Sequence, residues 1–159
     1  MRVRVIALGS EMARDDGAAL AAAARLTPDP HVDVVLAGRP GAGLLDLLEP
    51  DVPTLVLDVV RQGATPGGVL RLRLEELATA TLDGKPISSH GLGVAQAFRL
   101  AEALDRPLPR GLFLGIGGQS FEPGDEPTPE VARGVGDLVT AAERAIAELW
   151  EGYRCTSTG

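Results

Sequence analysis

The sequence predicts an α/β fold, a three-layer α/β/α sandwich around a mostly parallel five-stranded sheet. Three observations carry this. Short apolar runs rich in Val, Ile and Leu recur along the chain, Ala- and Leu-rich stretches with helical spacing lie between them, and Pro and Gly punctuate the joins. Strands that alternate with helices pack as a parallel sheet covered on both faces. With aromatic residues at only 3%, the core has to be built from Ala, Val, Leu and Ile.

Each element follows from its residues. Val3 to Leu8 is an apolar run of strand length ending at Gly9. After the loop from Ser10 to Asp15, the stretch Asp16 to Leu26 reads as a helix, with an acid near its start to suit the N-cap and the positive end of the dipole. Pro28 and Pro30 stop it, and His31 to Leu36 is a second strand, with His31 a surface residue at its start. Past the turn Gly38-Arg39-Pro40-Gly41, a short helix runs through Leu44, Leu45, Leu47 and Leu48. Pro53 to Asp58 is a third strand whose apolar run ends on a carboxylate.

The loop Arg61 to Gly68 has Pro-Gly turn chemistry, and Val69 to Leu74 alternates polar and apolar as an edge strand does. A helix from Leu92 to Leu104 carries Val94, Phe98, Ala101 and Leu104 on one face and ends before Pro107 and Pro109. Gly111 to Ile116 is a further buried strand. A Gly-rich, acidic loop leads from it to a long helix, Pro129 to Glu151.

A chain of 159 residues with 45% hydrophobic content suits one core, so residues 1–151 are expected to form a single domain and residues 152–159 a frayed tail. The net charge of −7, with fifteen basic residues scattered among twenty-two acids, argues against a nucleic-acid partner. No apolar run approaches the ~18 residues of a membrane span, and Met1 to Val5 leads straight into a strand, so a cytoplasmic protein is expected. Its single cysteine, Cys155, cannot form an internal disulfide.

The chemically specific stretch is Pro86-Ile87-Ser88-Ser89-His90-Gly91-Leu92-Gly93, which places a histidine before a helix. Asp16 and Asp58 fall at the same rim, the edge where open parallel sheets bind ligands. Two carboxylates and an imidazole make a three-ligand site with open positions, suited to zinc or nickel. Each residue also has a plain structural reading: Asp15 or Asp16 as a helix cap, Asp58 as a solvated strand end, His90 as a cap. A serine hydrolase using Ser88 or Ser89 is disfavoured, since Gly-x-Ser-x-Gly is absent. A dinucleotide fingerprint fails because Gly9-Ser10-Glu11-Met12 lacks the later glycines. Asp15 fits a cap or a supporting group better than a further ligand.

The alternative from another class is a receiver-like phosphoacceptor module using Asp15, Asp16 and Asp58. Against it, a loop separates the acid pair from the first strand, Gly115-Ile116-Gly117-Gly118 stands where a lysine is expected, and His90 is left without a role.

Over nearly its whole length the chain resembles the hydrogenase maturation endopeptidases, which trim the C-terminus of the nickel-containing large subunit of [NiFe] hydrogenases. The likeness rests on Leu8-Gly9 with Asp15-Asp16-Gly17, Asp58-Val59-Val60 with Gly63 and Pro66-Gly67, Ser88-Ser89-His90 with Gly93, Gly115-Ile116, Gly124, and Thr128-Pro129-Glu130-Val131. The resemblance implies that Asp16, Asp58 and His90 are the metal ligands and catalytic groups, and that Gly38, Arg39, Gly63, Pro66 and Gly67 belong to substrate-binding loops. It implies nickel carried by the substrate, with zinc or cadmium as ions that could fill the site in a crystal. The implied partner is the large-subunit precursor, met by a monomeric, metal-dependent or aspartyl-type endopeptidase whose acidic rim favours a basic residue before the cleavage point. The chain departs from the family pattern at Ser10, usually Asn, at Ala37-Gly38-Arg39-Pro40, usually with Asp and Thr, and at Gly117-Gly118, usually Gln-Pro.

Overall fold

A computed structural model describes residues 2–61, 64–79, 81–82, 85–86 and 93–156. The strands are β1 (Val3–Leu8), β2 (Val32–Gly38), β3 (Thr54–Val60), β4 (Val69–Arg73), β5 (Thr81–Leu82), β6 (Lys85–Pro86) and β7 (Gly111–Gly117). The α-helices are α1 (Ala18–Ala24), α2 (Val94–Ala103) and α3 (Pro129–Thr156). Five strands form the main sheet in the order β2-β1-β3-β7-β4, and β5 and β6 form a separate pair. β2, β1, β3 and β7 run parallel; β4 lies at the edge, as its alternating sequence predicts, and pairs antiparallel with β7.

The three central strands are apolar almost throughout because both their faces are covered. Alternation along each strand divides the core in two. Val3, Val5, Ala7, Leu55, Leu57 and Val59 pack beneath α1 and α3. Ile6, Val56, Val60 and Phe113 pack on the opposite face against Leu44, Leu45 and the α2 residues Ala97, Phe98 and Ala101. These are the two helical layers of the sandwich.

Three elements differ from expectation. The helix expected from Asp16 opens as a 3₁₀ turn, Arg14–Gly17, and α1 proper covers only Ala18–Ala24, with Gly17 at its N-cap and no side-chain cap bond. Neither Asp15 nor Asp16 therefore caps α1. The leucine-rich segment after β2 is a 3₁₀ helix, Gly41–Leu47, where Gly41 and Gly43 weaken the α form. α3 continues past Glu151 to Thr156, so the exposed Cys155 lies in its last turns rather than in a frayed tail. Gly152, within this helix, lies against the Arg110 guanidinium.

At the other end of α3, Gly67 and Gly134 meet backbone to backbone. A Cβ on Gly67 would overlap the Glu130 carbonyl oxygen, and its φ of 78° also calls for glycine. Among the described residues no helix is long and apolar enough to cross a membrane.

Phe98 is fully buried between α2 and the sheet. Phe98→Ala should cost about 3–5 kcal/mol of unfolding free energy, read as a lower urea midpoint with an unchanged slope; a cost below about 1 kcal/mol would contradict this packing.

Candidate active site at the carboxyl edge

The carboxyl ends of β1, β2 and β3 meet at one rim. There the Gly9 N–H donates to the Gly38 carbonyl at 2.8 Å, closing the ends of β1 and β2 together. The chain then folds back so tightly that a Cβ on Gly9 would overlap the Asp16 carbonyl oxygen, which instead accepts the Ser10 N–H at 3.2 Å. This turn delivers Asp16 to a pocket whose walls also include Gly38, Arg39, Leu44, Asp58 and Val94. Its cavity is about 30 Å³. That is room for an ion or one or two waters rather than for a nucleotide or an organic cofactor.

Asp16 and Asp58 are both 2% exposed. Oδ2 of Asp16 accepts hydrogen bonds from the Ser10 N–H at 2.8 Å, Arg39 Nε at 2.9 Å and Arg39 Nη2 at 2.7 Å. Asp58 sits where β3 pairs with Gly115 of β7, and its Oδ1 accepts the Val59 N–H at 2.7 Å. The strand period points Asp58 toward the α2 layer, where Val94 is the first residue of α2.

Asp15, the neighbour of Asp16, serves the loop between β7 and α3 instead. Its Oδ2 accepts the N–H groups of Gln119 at 2.8 Å and Ser120 at 2.7 Å, and its Oδ1 accepts the Thr128 N–H at 2.6 Å. The Thr128 hydroxyl lies 3.0 Å from both oxygens. Burial pushes the Asp15 carboxyl up, but the N–H groups of Ser120, Thr128 and Gln119 and the Thr128 hydroxyl outweigh it and hold the group below the ordinary aspartate value.

The rim is not uniformly acidic. Besides Arg39, Arg61 follows β3 and lays its guanidinium over the Phe121 ring at 4.1 Å from the centroid. Burial lowers the Arg61 guanidinium from its ordinary value; the nearby Asp16 charge opposes this and the Arg39 charge adds to it. The structure therefore replaces the expected acidic rim with two carboxylates faced by two guanidiniums. Arg61 and Phe121 were not among the candidate site residues read from the sequence, and neither carries a local pattern that would have marked it; Thr128 was read only as part of the motif Thr128-Pro129-Glu130-Val131, with no sign of its bond to Asp15.

The structure thus brings Asp16, Asp58, Gly38 and Arg39 to one pocket. Pro66 and Gly67 do not line it: Pro66 bridges to Gly117, and the Gly67 N–H donates to the Gly117 carbonyl at 2.8 Å while Gly67 packs on α3. His90, Ser88, Ser89 and Gly63 lie outside the described residues. Among the described residues no three His, Cys, Asp or Glu side chains are grouped to hold a metal ion. His31 is exposed and stacks on Trp150, with ring centroids 4.7 Å apart, away from this rim.

An open, mostly parallel sheet with two buried carboxylates at its carboxyl edge defines an α/β protein that works at that edge. The chain belongs to the hydrogenase maturation protease family, whose model it matches over residues 19–145, and is accordingly a peptidase. Asp58 and His90 fall inside the matched span and Asp16 just before it. The fold is similar to that of the hydrogenase maturating endopeptidase HybD of E. coli, with 24% identity, 96% of this chain and 94% of that chain covered, and a TM-score of 0.73. It is also similar to the [NiFe] hydrogenase maturation protease HybD of Thermococcus kodakarensis, with 27% identity, coverage of 92% and 99%, and a TM-score of 0.69. The solution structure of an endopeptidase from Escherichia coli matches with 24% identity, coverage of 93% for both chains, and a TM-score of 0.77. Comparison with curated proteins finds no match. Family membership, together with the engagement of both Asp15 oxygens by the β7–α3 loop, removes the phosphoacceptor alternative.

Because the Asp15 carboxyl is held below its ordinary value, its contribution to stability is fully present above the unfolded aspartate pKa of ~3.9 and is lost as pH falls through the lower folded value. Asp15→Asn should cost about 1.5–3 kcal/mol at pH 7. In urea titrations the gap to wild type should narrow as the pH falls below ~3.9; a gap that stays constant down to acid pH would contradict the assignment.

Proposed function

We propose that this peptidase removes the C-terminal extension from the nickel-loaded large-subunit precursor of a [NiFe] hydrogenase, and that Asp16, Asp58 and His90 are the groups that meet the precursor's nickel. The observation that carries this reading is the convergence of Asp16, from the 3₁₀ turn after β1, and Asp58, from β3, as buried carboxylates in one ion-sized pocket. His90 enters through the family resemblance, and it precedes α2, whose first residue, Val94, lines the same pocket.

Two carboxylate oxygens and an imidazole nitrogen suit a divalent first-row metal, and a set of three leaves positions for ligands that the precursor keeps. Nickel brought by the precursor supplies Lewis acidity toward the scissile carbonyl or an attacking water. The chain's own residues hold and orient: the Ser10 N–H and Arg39 fix one oxygen of Asp16, and the Val59 N–H fixes one oxygen of Asp58. Such positioning is what a short-lived encounter with a substrate-borne ion requires, because the site must release the metal with the product.

Cleavage of a nickel-loaded precursor, followed as the mobility shift of the trimmed subunit, tests this reading. Asp16→Asn, Asp58→Asn and His90→Ala should each slow cleavage by ~100-fold or more while leaving the circular dichroism spectrum unchanged, and the nickel-free precursor should remain uncut. Near-wild-type cleavage by any one of the three variants removes that residue from the site.

A further inference from the structure

Arg39 stands where the proposed function brings a metal. Two of its nitrogens, Nε and Nη2, donate to the same Asp16 oxygen, at 2.9 and 2.7 Å. The two partners differ in burial, with the Asp16 side chain 3% exposed and the Arg39 side chain 44% exposed. An ionised carboxylate buried to that degree needs a counter-charge close by, and Arg39 supplies one from the solvent side.

The guanidinium is carried by a turn rather than by a strand or helix. Gly38 and Gly41, on either side, both have left-handed φ values, 64° and 57°. The Arg39 side chain is nearly half in solvent and lies outside both core clusters, so it can leave Asp16 without unpacking the core. Arg61 adds a second positive charge within electrostatic reach of both Asp16 and Arg39. A divalent cation that approaches Asp16 must therefore displace Arg39 or share the carboxylate against its repulsion. A free hydrated ion has nothing to offset that cost. An ion held in a docked protein arrives with the contacts of the whole docked surface.

Building on the function proposed above, we propose that Arg39 is a specificity-determining residue: it serves as the surrogate cation of Asp16 in the resting protein and discriminates against free divalent ions in favour of a metal presented by the docked precursor. Arg39 yields its place on Oδ2 when the precursor's metal arrives and returns when the product leaves. No covalent step is involved.

Calorimetric titration of the full chain with nickel chloride alone tests the inference without any cleavage readout. Arg39→Ala and Arg39→Gln should bind Ni²⁺ at least ~10-fold more tightly than wild type, a gain of about 1.4 kcal/mol. Arg39→Lys, which keeps the charge, should stay close to wild type. The glutamine variant retains a donor for Asp16 and serves if the alanine variant fails to fold. Unchanged or weaker binding in the folded neutral variants overturns the inference, and so does equal tightening by lysine. Adding Asp16→Asn to Arg39→Gln should abolish the gain; a gain that survives shows that Arg39 acts elsewhere and overturns the inference as well. The two readings fail separately: unaltered cleavage by all three of Asp16→Asn, Asp58→Asn and His90→Ala sinks the proposed function, whereas flat nickel affinity across the Arg39 variants, with cleavage still dependent on Asp16, sinks only the role of Arg39.

Discussion

The carboxyl edge of this sheet depends on one buried anion. Asp15 has no exposed surface, and an ionised carboxylate in that position is tolerated only when its oxygens are filled by donors. The donors come from both ends of the loop between β7 and α3, Gln119 and Ser120 at its start and Thr128 at its end. Thr128 immediately precedes Pro129, the first residue of α3, and its carbonyl accepts the Ala132 N–H at 2.8 Å, so the residue that binds Asp15 also joins the first turn of the long helix. Backbone bonds reinforce the tie: the Asp15 N–H donates to the Ser120 carbonyl at 3.1 Å and the Arg14 N–H to the Gly124 carbonyl at 2.9 Å. The turn after β1, the acidic loop and the start of α3 are thereby one unit.

Adjacent acids in this unit do different work because a 3₁₀ turn points successive side chains in different directions. Asp15 faces the loop and is consumed by it. Asp16 faces the pocket, where its burial is balanced by a backbone N–H and a guanidinium on one oxygen. The turn achieves this at some backbone cost, since Arg14 has a φ of 47°, a region that non-glycine residues seldom occupy. Arg14 Nε donates to the Glu126 carbonyl at 3.2 Å, so the strained residue is itself held by the loop that Asp15 organises. Strain beside a candidate site fits the wider tendency for such sites to be over-determined by their surroundings.

The layers and the strands were legible because burial on two faces leaves a strong mark in sequence. The runs Val3–Leu8, Thr54–Val60 and Gly111–Gly117 are apolar nearly throughout, and Val69–Arg73 alternates as a strand open on one side does. The 3₁₀ segments were less legible, since Leu44, Leu45, Leu47 and Leu48 read alike in an α-helix or a tighter turn until Gly41 and Gly43 are weighed against them. Of the site, Asp58 was visible as a carboxylate closing the apolar run from Pro53, although β3 continues to Val60, and Asp16 as an acid before a helix, although a 3₁₀ turn carries it. The partners that give each acid its role were not visible. Thr128 lies 113 positions from Asp15 and Arg39 23 positions from Asp16, and arginines in loops carry no periodicity that announces their target.

The electrostatics of the pocket differ from those of the whole chain. A net charge of −7 sets a long-range field that attracts basic surfaces, but salt screens it beyond about 8–10 Å. At the rim, two carboxylates meet two guanidiniums, and burial makes these near contacts stronger than any distant charge. Among the described residues the rim is therefore mixed in charge rather than uniformly acidic. In such a site position decides the outcome: a group that reaches the Asp16 and Asp58 oxygens with the right geometry is favoured, and one that merely carries positive charge is opposed by Arg39 and Arg61. The aromatic support of Phe121 matters for the same reason, because a guanidinium resting on a ring keeps its charge in place rather than free to follow an incoming ion. Of the two arginines, Arg61 is braced against the loop whose ends Asp15 fastens, and Arg39 hangs from a turn between two glycines. The fixed charge and the movable one thus come from different parts of the same rim.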